Sequence, residues 1–378
     1  MNSVKVLHCA DVHIGALSGI LGENAAKRRF ETLLTFEKII SEAIERKVDF
    51  LLISGDLFDS NSIDSELIDR TFEAFKNTGD IKVIYCAGNH DPLNSTSPFL
   101  TRNLPENLYV LGTEDECISF ADKGVRIYGR SFEDSSQVGK NRFSITPPDD
   151  DIINIMVLHG ELKSDLNSQY NAITPEFVKS SKMDYIALGH VHKKSGILKL
   201  ENTSFAYCGC PEGQGFDELD DKGVYIGEIK KHSAELEFLP VSKRRYIEEN
   251  IDISALSNSA EIAAEIINKL KLAYGEDYSQ NLYKIILVGE VDENVIISKD
   301  EILSRLDDEL YFAKLKDKTE IRIDLELLAN EVSLKGIFTK NMLSLIEKAE
   351  NNEEKERLRD ALKLGLTAFK TEVFYNED

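Results

Sequence analysis

"IKVIYCAGNHD", residues 81–91, decides how the fold is read. Its apolar run from Ile81 to Ala87 stops at Gly88, and Asn89, His90 and Asp91 follow side by side. A short apolar run closed by a glycine reads as a buried strand. Working outward toward the N-terminus, the same unit recurs. "VKVLHCAD" (4–11) and "VDFLLISGD" (48–56) are strands of the same kind. Between them, Asn24–Lys47 carries Phe30, Leu33, Leu34, Ile40, Ala43 and Ile44 at helical spacing, and Ser62–Asn77 does so with Leu67, Ile68, Phe72 and Phe75. Strands alternating with helices predict an α/β protein whose parallel sheet is covered on both faces.

Toward the C-terminus the chain becomes richer in strands. "ISFADKGVRIYG" (118–129) reads as a hairpin, "IINIMVLHG" (152–160) as a buried strand, and Pro175–Ser181 as a short helix before "MDYIALGHVH" (183–192). "GVYIGEI" and "AELEFLPV" close this part as antiparallel strands near residue 241. After "SKRRY" (242–246) a small βαβαβ unit is expected over 247–331, with helices near 258–274 and from Ser298 and strands "LYKIILVG" and "TEIRIDL". From 334 to 378 the chain reads as helical, through "FTKNMLSLIEKA" and "EKERLRDALKLGLTAFKTEVF".

Composition bounds the function classes. With 42% hydrophobic residues over 378 positions, the chain can bury real cores. It opens directly into a strand and has no apolar run near the roughly 18 residues of a membrane span, so a cytoplasmic protein without a membrane partner is expected. The odd count of five cysteines, two of them in core strands, argues against a disulfide framework. A net charge of −22 speaks against a polyanionic partner only at long range, because screening limits exposed charges to about 8 Å.

Five strand ends carry ligand-type residues: Asp11 and His13 in "CADVH", Asp56 and Asp59 in "ISGDLFD", Asn89, His90 and Asp91 in "GNHD", His159 in "VLHGE", and His190 and His192 in "ALGHVH". Strand ends line one edge of an open α/β sheet, where ligands bind. Each segment alone could be a turn or cap, yet five of the seven histidines fall in these places. The chemistry that needs such a set is hydrolysis by two divalent metals, in which one carboxylate bridges both ions. Asp56 suits the bridge. Nitrogen and oxygen ligands without thiolate favour Mn, Fe or Zn over Ca. Two ionised carboxylates against two divalent cations leave a local positive surplus, which attracts phosphate even on an acidic protein.

The ordered set Asp-x-His, Gly-Asp-x-x-Asp, Gly-Asn-His-Asp, His-Gly and Gly-His-x-His resembles the calcineurin-like metallophosphoesterases. Within them, "ADVHIGA", "GDLFD" and "YCGCPEGQGFDELDDKGVYIGEI" are similar to the SbcD-type and YhaO-type DNA-repair exonucleases. The resemblance covers about residues 1–241 and implies a four-layer α-β-β-α sandwich, followed by a small α/β capping domain at 247–331 and C-terminal helices at 334–378 that dock an ATPase. It implies that Asp11, His13, Asp56 and His192 hold one metal, and Asp56, Asn89, His159 and His190 the other, with Mn²⁺ the usual ion and Fe²⁺ or Zn²⁺ as alternatives. His90 is then left for the phosphodiester, with Asp59 as its orienter, although SbcD-type relatives often place His there. Asp91 stands between orienting His90 and capping the turn.

The activity so implied is a DNA exonuclease, 3′-to-5′ on duplex DNA with endonuclease action on single strands. Its partners would be DNA and an SMC-like ATPase, with a homodimer open. The competing readings are a small-molecule phosphodiesterase or phosphomonoesterase of the same superfamily, and a scaffold that binds DNA ends without cutting. "SKRRY" is the best basic-aromatic cluster, read either as a contact to nucleic acid backbone or as an interdomain hinge. Cys208 and Cys210 are read as small packing residues.

Overall fold

The computed structural model describes residues 2–17, 19–136, 143–164, 168–292 and 295–369. It divides into two compact units, one of residues 1–249, 270–284 and 307–314, the other of residues 250–269, 285–306 and 315–378.

The first unit is built on two six-stranded sheets. In one, β1 (Ser3–Cys9), β2 (Phe50–Ser54), β3 (Lys82–Cys86) and β4 (Leu108–Val110) run parallel. Strands Gly223–Lys230 and Ser233–Pro240 extend it as an antiparallel pair beyond β1. The second sheet orders Leu198–Leu200, Thr203–Tyr207, Tyr185–Gly189, then β7 (Ile153–His159), β6 (Val125–Gly129) and β5 (Glu116–Phe120). Here β5 and β6 form the antiparallel pair read from "ISFADKGVRIYG".

Side-chain alternation explains how the layers stack. Val4 and Val6 of β1, Phe50 and Leu52 of β2, and Ile153, Ile155 and Val157 of β7 share one core between the sheets. The opposite faces of β1 and β2, with Leu7, Cys9, Leu51 and Ile53, pack under helices α1 (Ala25–Glu45) and α2 (Ser65–Asn77). Met156 and Leu158 of β7 pack with Val178 of the Pro175–Ser180 helix on the far side. The result is a helix–sheet–sheet–helix sandwich. Strands buried on both faces must read as unbroken apolar runs, and each fully buried Leu, Ile or Phe contributes about 1.5–3 kcal/mol. In α1, Leu33, Phe36, Ile39, Ile40 and Ala43 form the inward stripe; of the expected face Leu33, Ile40 and Ala43 lie in it, whereas Phe30 and Ile44 are exposed at its edge.

Beyond the sandwich, strands Tyr246–Asp252, Leu282–Val288 and Phe312–Asp317 form a three-stranded sheet. Its last strand is not the expected "TEIRIDL". Of that stretch only Glu320–Ile321 is extended, paired with Glu290–Val291, and both of its side chains are exposed. The alternation there was a surface pattern, whereas Ala313 in the real strand is buried.

In the second unit, helices Leu325–Ala329, Leu334–Lys348 and Asn352–Ala368 pack on one another through Leu328, Leu362 and Leu366, backed by Phe338 and Met342. Each has a side-chain cap: Asp324, Ser333 and Asn351 accept first-turn N–H groups. Residues 370–374 of the last expected helix lie outside the described residues.

Candidate metal centre

Parallel strands bring their carboxyl ends to one edge, and at that edge the backbone leaves the strand sharply. Asp11, His13, Asp56 and His190 all have positive φ, at 52°, 49°, 50° and 96°. Such a conformation is rare outside glycine and persists only where the surroundings impose it. Hydrogen bonds between the loops do so. The Asp11, His13 and Ile14 N–H groups donate to the carbonyls of Gly55, Asp56 and Leu57, closing the β1 loop onto the β2 loop. Asp91, fully buried, accepts N–H groups from Gly88 at 2.9 Å, Phe58 at 3.0 Å and Asp56 at 3.2 Å. It therefore caps the turn and ties the β3 loop to the β2 loop. Gly88 is required for this approach, since a Cβ there would lie 2.2 Å from Asp56 Oδ1.

The structure brings Asp11, His13, Asp56, Asn89, His159, His190 and His192 to one place. Asp56 Oδ1 accepts the His90 N–H at 2.8 Å, leaving Oδ2 between His159 Nε2 at 3.3 Å and His13 Nε2 at 3.8 Å. On one side of it, His13 Nε2 and His192 Nε2 stand 3.2 Å apart, with Asp11 within reach of both. On the other, Asn89 Oδ1 lies 2.9 Å from His159 Nε2 and 3.2 Å from His190 Nδ1. His190 also donates its backbone N–H to Asp11 at 2.9 Å.

The protons at this centre do not match its lone pairs. His159 Nδ1 donates to the Ser54 carbonyl at 2.9 Å and His13 Nδ1 donates to Asp59 at 3.2 Å, so in their neutral rings both Nε2 atoms are acceptors. His159 Nε2 then faces a second acceptor, Asp56 Oδ2, and His13 Nε2 faces His192 Nε2, whose own ring proton is held by Glu218; turning the Asn89 amide changes neither. Only a cation or an extra proton relieves this. With protons alone, burial opposes charging His159, but the Asp56 and Asp11 carboxylates outweigh it and raise the ring to about 9. Burial pushes Asp11 up as well. The 2.9–3.3 Å spacings match the roughly 3.0–3.4 Å between neighbouring ligands on an ion with bonds of about 2.1 Å. The donor set thus fits two divalent cations sharing Asp56.

His90 stands apart. Its side chain is 45% exposed, its ring meets His13 edge-on at 4.7 Å, and its Nδ1 donates to the Asp59 backbone carbonyl at 3.1 Å. The Asp59 carboxylate is 3.9 Å from His90 and closer to His13, so Asp59 reaches both rings but through different atoms.

Other expectations resolve differently. "SKRRY" offers little free charge: Arg244 is buried against Glu31 at 2.7 Å, Lys243 lies 3.7 Å from Glu31 and Arg245 pairs with Asp221 at 3.4 Å. Cys208 and Cys210 are buried free thiols. In the loop that follows His159, Lys163 pairs with Glu161, while residues 165–167 lie outside the described residues. The Tyr170 ring lies against His190, with centroids 4.7 Å apart and planes tilted by 34°. Sequence reasoning missed Glu218, whose carboxylate accepts from His192 Nδ1 at 2.5 Å. It missed Tyr207 too, whose hydroxyl donates to Gly160 and accepts from Leu162 to hold the loop after His159. The only signal for Glu218 was its place in an acidic, glycine-rich loop.

A helix–sheet–sheet–helix sandwich with paired nitrogen and oxygen ligand clusters at its strand ends defines a metal-dependent phosphoesterase, and residues 4–194 match the calcineurin-like phosphoesterase family. The chain belongs to that family. Among its relatives is the Bacillus subtilis protein called uncharacterized metallophosphoesterase YhaO, 26% identical over 355 residues, covering 86% of this chain and 84% of the relative. The DNA double-strand break repair protein Mre11 of Methanocaldococcus jannaschii is 26% identical over 374 residues, covering 94% of this chain and 97% of the relative. That of Saccharolobus solfataricus is 23% identical over 335 residues, covering 85% and 84%. No helix among the described residues is long and apolar enough to cross a membrane.

Proposed function

We propose that this chain is a two-metal-dependent DNA nuclease that removes nucleotides from duplex ends, 3′ to 5′, and cuts single strands, acting in DNA repair beside an SMC-like ATPase. The observation that carries the reading is the site itself: Asp11, His13 and His192 gather on one side of Asp56 and Asn89, His159 and His190 on the other, with one exposed imidazole, His90, next to His13 and Asp56. The likeness to proteins named for double-strand break repair, over nearly the whole chain, supports DNA as the substrate.

Asp11, His13, Asp56 and His192 hold one ion, and Asp56, Asn89, His159 and His190 the other; Mn²⁺ is the favoured ion, with Fe²⁺ or Zn²⁺ compatible with the same donors. When bound, the pair supplies Lewis acidity toward the phosphodiester and a nucleophile at neutral pH. The chain's own residues do the rest. His90, with Nδ1–H held on the Asp59 carbonyl, turns Nε2 to the substrate, and in its imidazolium form gives the Nε2 proton, or a hydrogen bond from it, to the phosphate as charge builds. Asp59 orients it. Residues 247–331 act as a cap, and the helices of 334–378 dock the ATPase. The exposed Leu334, Ile337, Leu345 and Leu364 on these helices are apolar enough for such a contact.

The test is end-labelled duplex DNA, single-stranded DNA and an aryl phosphodiester, each incubated with the protein and Mn²⁺. Release of nucleotides from DNA ends is expected. His90→Ala should lower that release by roughly 10²- to 10⁴-fold while metal content stays at the wild-type level. Turnover of the aryl ester with intact DNA would replace the nuclease reading with a small-molecule phosphodiesterase, and DNA binding without turnover would leave a scaffold.

A further inference from the structure

Three of the metal-facing imidazoles carry a hydrogen bond on the ring nitrogen turned away from the centre, and the partners differ. His159 uses the Ser54 carbonyl, part of β2. His13 uses Asp59, a neighbour in the same loop pair. His192 uses Glu218, 26 residues further along, on a loop that contributes no ligand.

That loop is arranged around the contact. Glu218 Oε1 accepts from His192 Nδ1 at 2.5 Å, and Glu218 Oε2 accepts the Gln214 N–H at 2.9 Å and the Cys210 thiol at 3.4 Å. The Glu218 N–H donates to the Gly215 carbonyl at 3.1 Å. From the same loop, Lys222 Nζ at 3.1 Å and the Cys210 N–H at 3.3 Å donate to the His192 carbonyl. His192 is thus gripped at both its ring and its backbone. His192, Cys210 and Glu218 also lie close enough together to be taken for a metal site of their own. The 2.5 Å separation argues otherwise: it is a charge-assisted hydrogen bond, shorter than the roughly 3 Å between two ligands of one ion.

We propose that Glu218 is a positioning residue, which by holding the proton on His192 Nδ1 fixes the ring so that Nε2, 3.2 Å from His13 Nε2, stays an acceptor for the metal shared by Asp11, His13, Asp56 and His192. The inference rests on the two-metal reading of the site. A carboxylate on the far nitrogen both orients a ligating histidine and strengthens it as a donor, and its loss weakens metal binding about 10- to 100-fold. The second ion, on Asn89, His159 and His190, has no contact with Glu218 and should be untouched.

Titrating Mn²⁺ into wild type, Glu218→Ala and Glu218→Gln by calorimetry, with bound metal counted separately, tests this. In Glu218→Ala one of two equivalents should weaken about 10- to 100-fold while the other is unchanged. Glu218→Gln, which keeps an acceptor but not the charge, should fall between. Two wild-type affinities in Glu218→Ala would overturn the proposal, as would equal weakening of both sites in a folded Glu218→Gln. A second measurement stands apart from the metals. Nitrogen NMR of the metal-free protein at alkaline pH, where the ring is neutral, should show His192 as the Nδ1–H tautomer in wild type, changing in Glu218→Ala. An Nε2–H ring in wild type would sink the positioning role, whereas a wild type that takes up no Mn²⁺ but shows Nδ1–H would sink only the two-metal reading.

Discussion

Two clusters of buried charge lie in the first unit, and they are built on opposite principles. Around Glu31, the chain joins Arg28, Arg244 and Glu212, all at most 4% exposed. Arg28 reaches Glu212 at 2.6 Å and Glu31 at 3.2 Å; Arg244 reaches Glu31 at 2.7 Å and the Gln280 carbonyl at 2.6 Å. The Thr35 hydroxyl completes Glu212 at 2.6 Å, and the Arg244 guanidinium lies 3.5 Å over the Tyr311 ring. Two cations meet two anions, and both guanidinium groups have acceptors. At the strand ends, Asp11 and Asp56 accept the backbone N–H groups of His190 and His90 but meet no side-chain cation, only imidazoles and the Asn89 amide, and acceptor faces acceptor. The first cluster is balanced in charge as it stands. The second is complete only with added positive charge, and that imbalance distinguishes a ligand site from a structural network better than burial does.

The sharpest way to break this comparison is Asp56→Ala. If the acceptor excess exists to hold cations, removing the shared carboxylate should abolish uptake of both ions and cut phosphodiester turnover on the order of 10³-fold or more, the Lewis acid being lost rather than misplaced. Metal content and activity measured on one preparation check it. A variant that still binds two equivalents would put the bridge elsewhere.

Glu31→Ala is the matching test of the balanced cluster. It leaves the buried Arg244 guanidinium without a carboxylate, while Arg28 keeps Glu212, and should cost about 3–5 kcal/mol of stability. Denaturant unfolding of the isolated protein reads this, and metal stoichiometry of the folded fraction should not change.

A pH series separates the charge of Glu31 from its packing. Burial alone would raise its carboxyl, but the hydrogen bonds and charge of Arg244, then of Arg28, hold it below the ordinary 4.5. A carboxylate with a lowered folded value stabilises the protein above its unfolded value and loses that contribution as pH falls through the folded one. The stability gap between wild type and Glu31→Gln should therefore be constant above pH 4.5 and shrink below it. A gap that widens in acid would contradict the ion-pair account.

How much of this could be read from the sequence follows from what kind of signal each part leaves. The strand ends were legible because the apolar runs are continuous and each stops at a ligand-type residue, so Asp11, Asp56, Asn89, His159 and His190 fell at predictable places. The sheet that holds them was legible for the same reason, since both of its faces are buried. Partners chosen by tertiary approach left no such mark. Glu31 lies in the middle of α1 and meets Arg244 across 213 residues, so "SKRRY" kept its look of a free basic cluster. Glu218 sits in a loop without period. Asp59 was expected to serve His90 through its carboxylate, yet that group lies nearer His13, because the β2 loop turns after Asp56 in a left-handed conformation that spacing does not reveal. "TEIRIDL" misled because surface and core alternation look alike until the partner strand is known.

The smallest expected effect comes from the neighbour of Arg244. Arg245 sits one position on and carries the same charge, but its pair with Asp221 is 3.4 Å long, with the side chains 38% and 51% exposed. Water already solvates both groups, so Asp221→Asn should cost only about 0–1 kcal/mol, and less as salt is raised, because screening acts on exposed pairs. Glu31→Ala should lose its several kcal/mol with much weaker salt dependence, since the Arg28, Glu31, Glu212 and Arg244 side chains are at most 4% exposed. Measuring both variants in 0.05 M and 0.5 M salt, roughly a threefold range in Debye length, sharpens the comparison to adjacent residues of one motif. If the two responded equally, burial would not be what separates them, and the distinction drawn between balanced and acceptor-rich clusters would lose its physical basis.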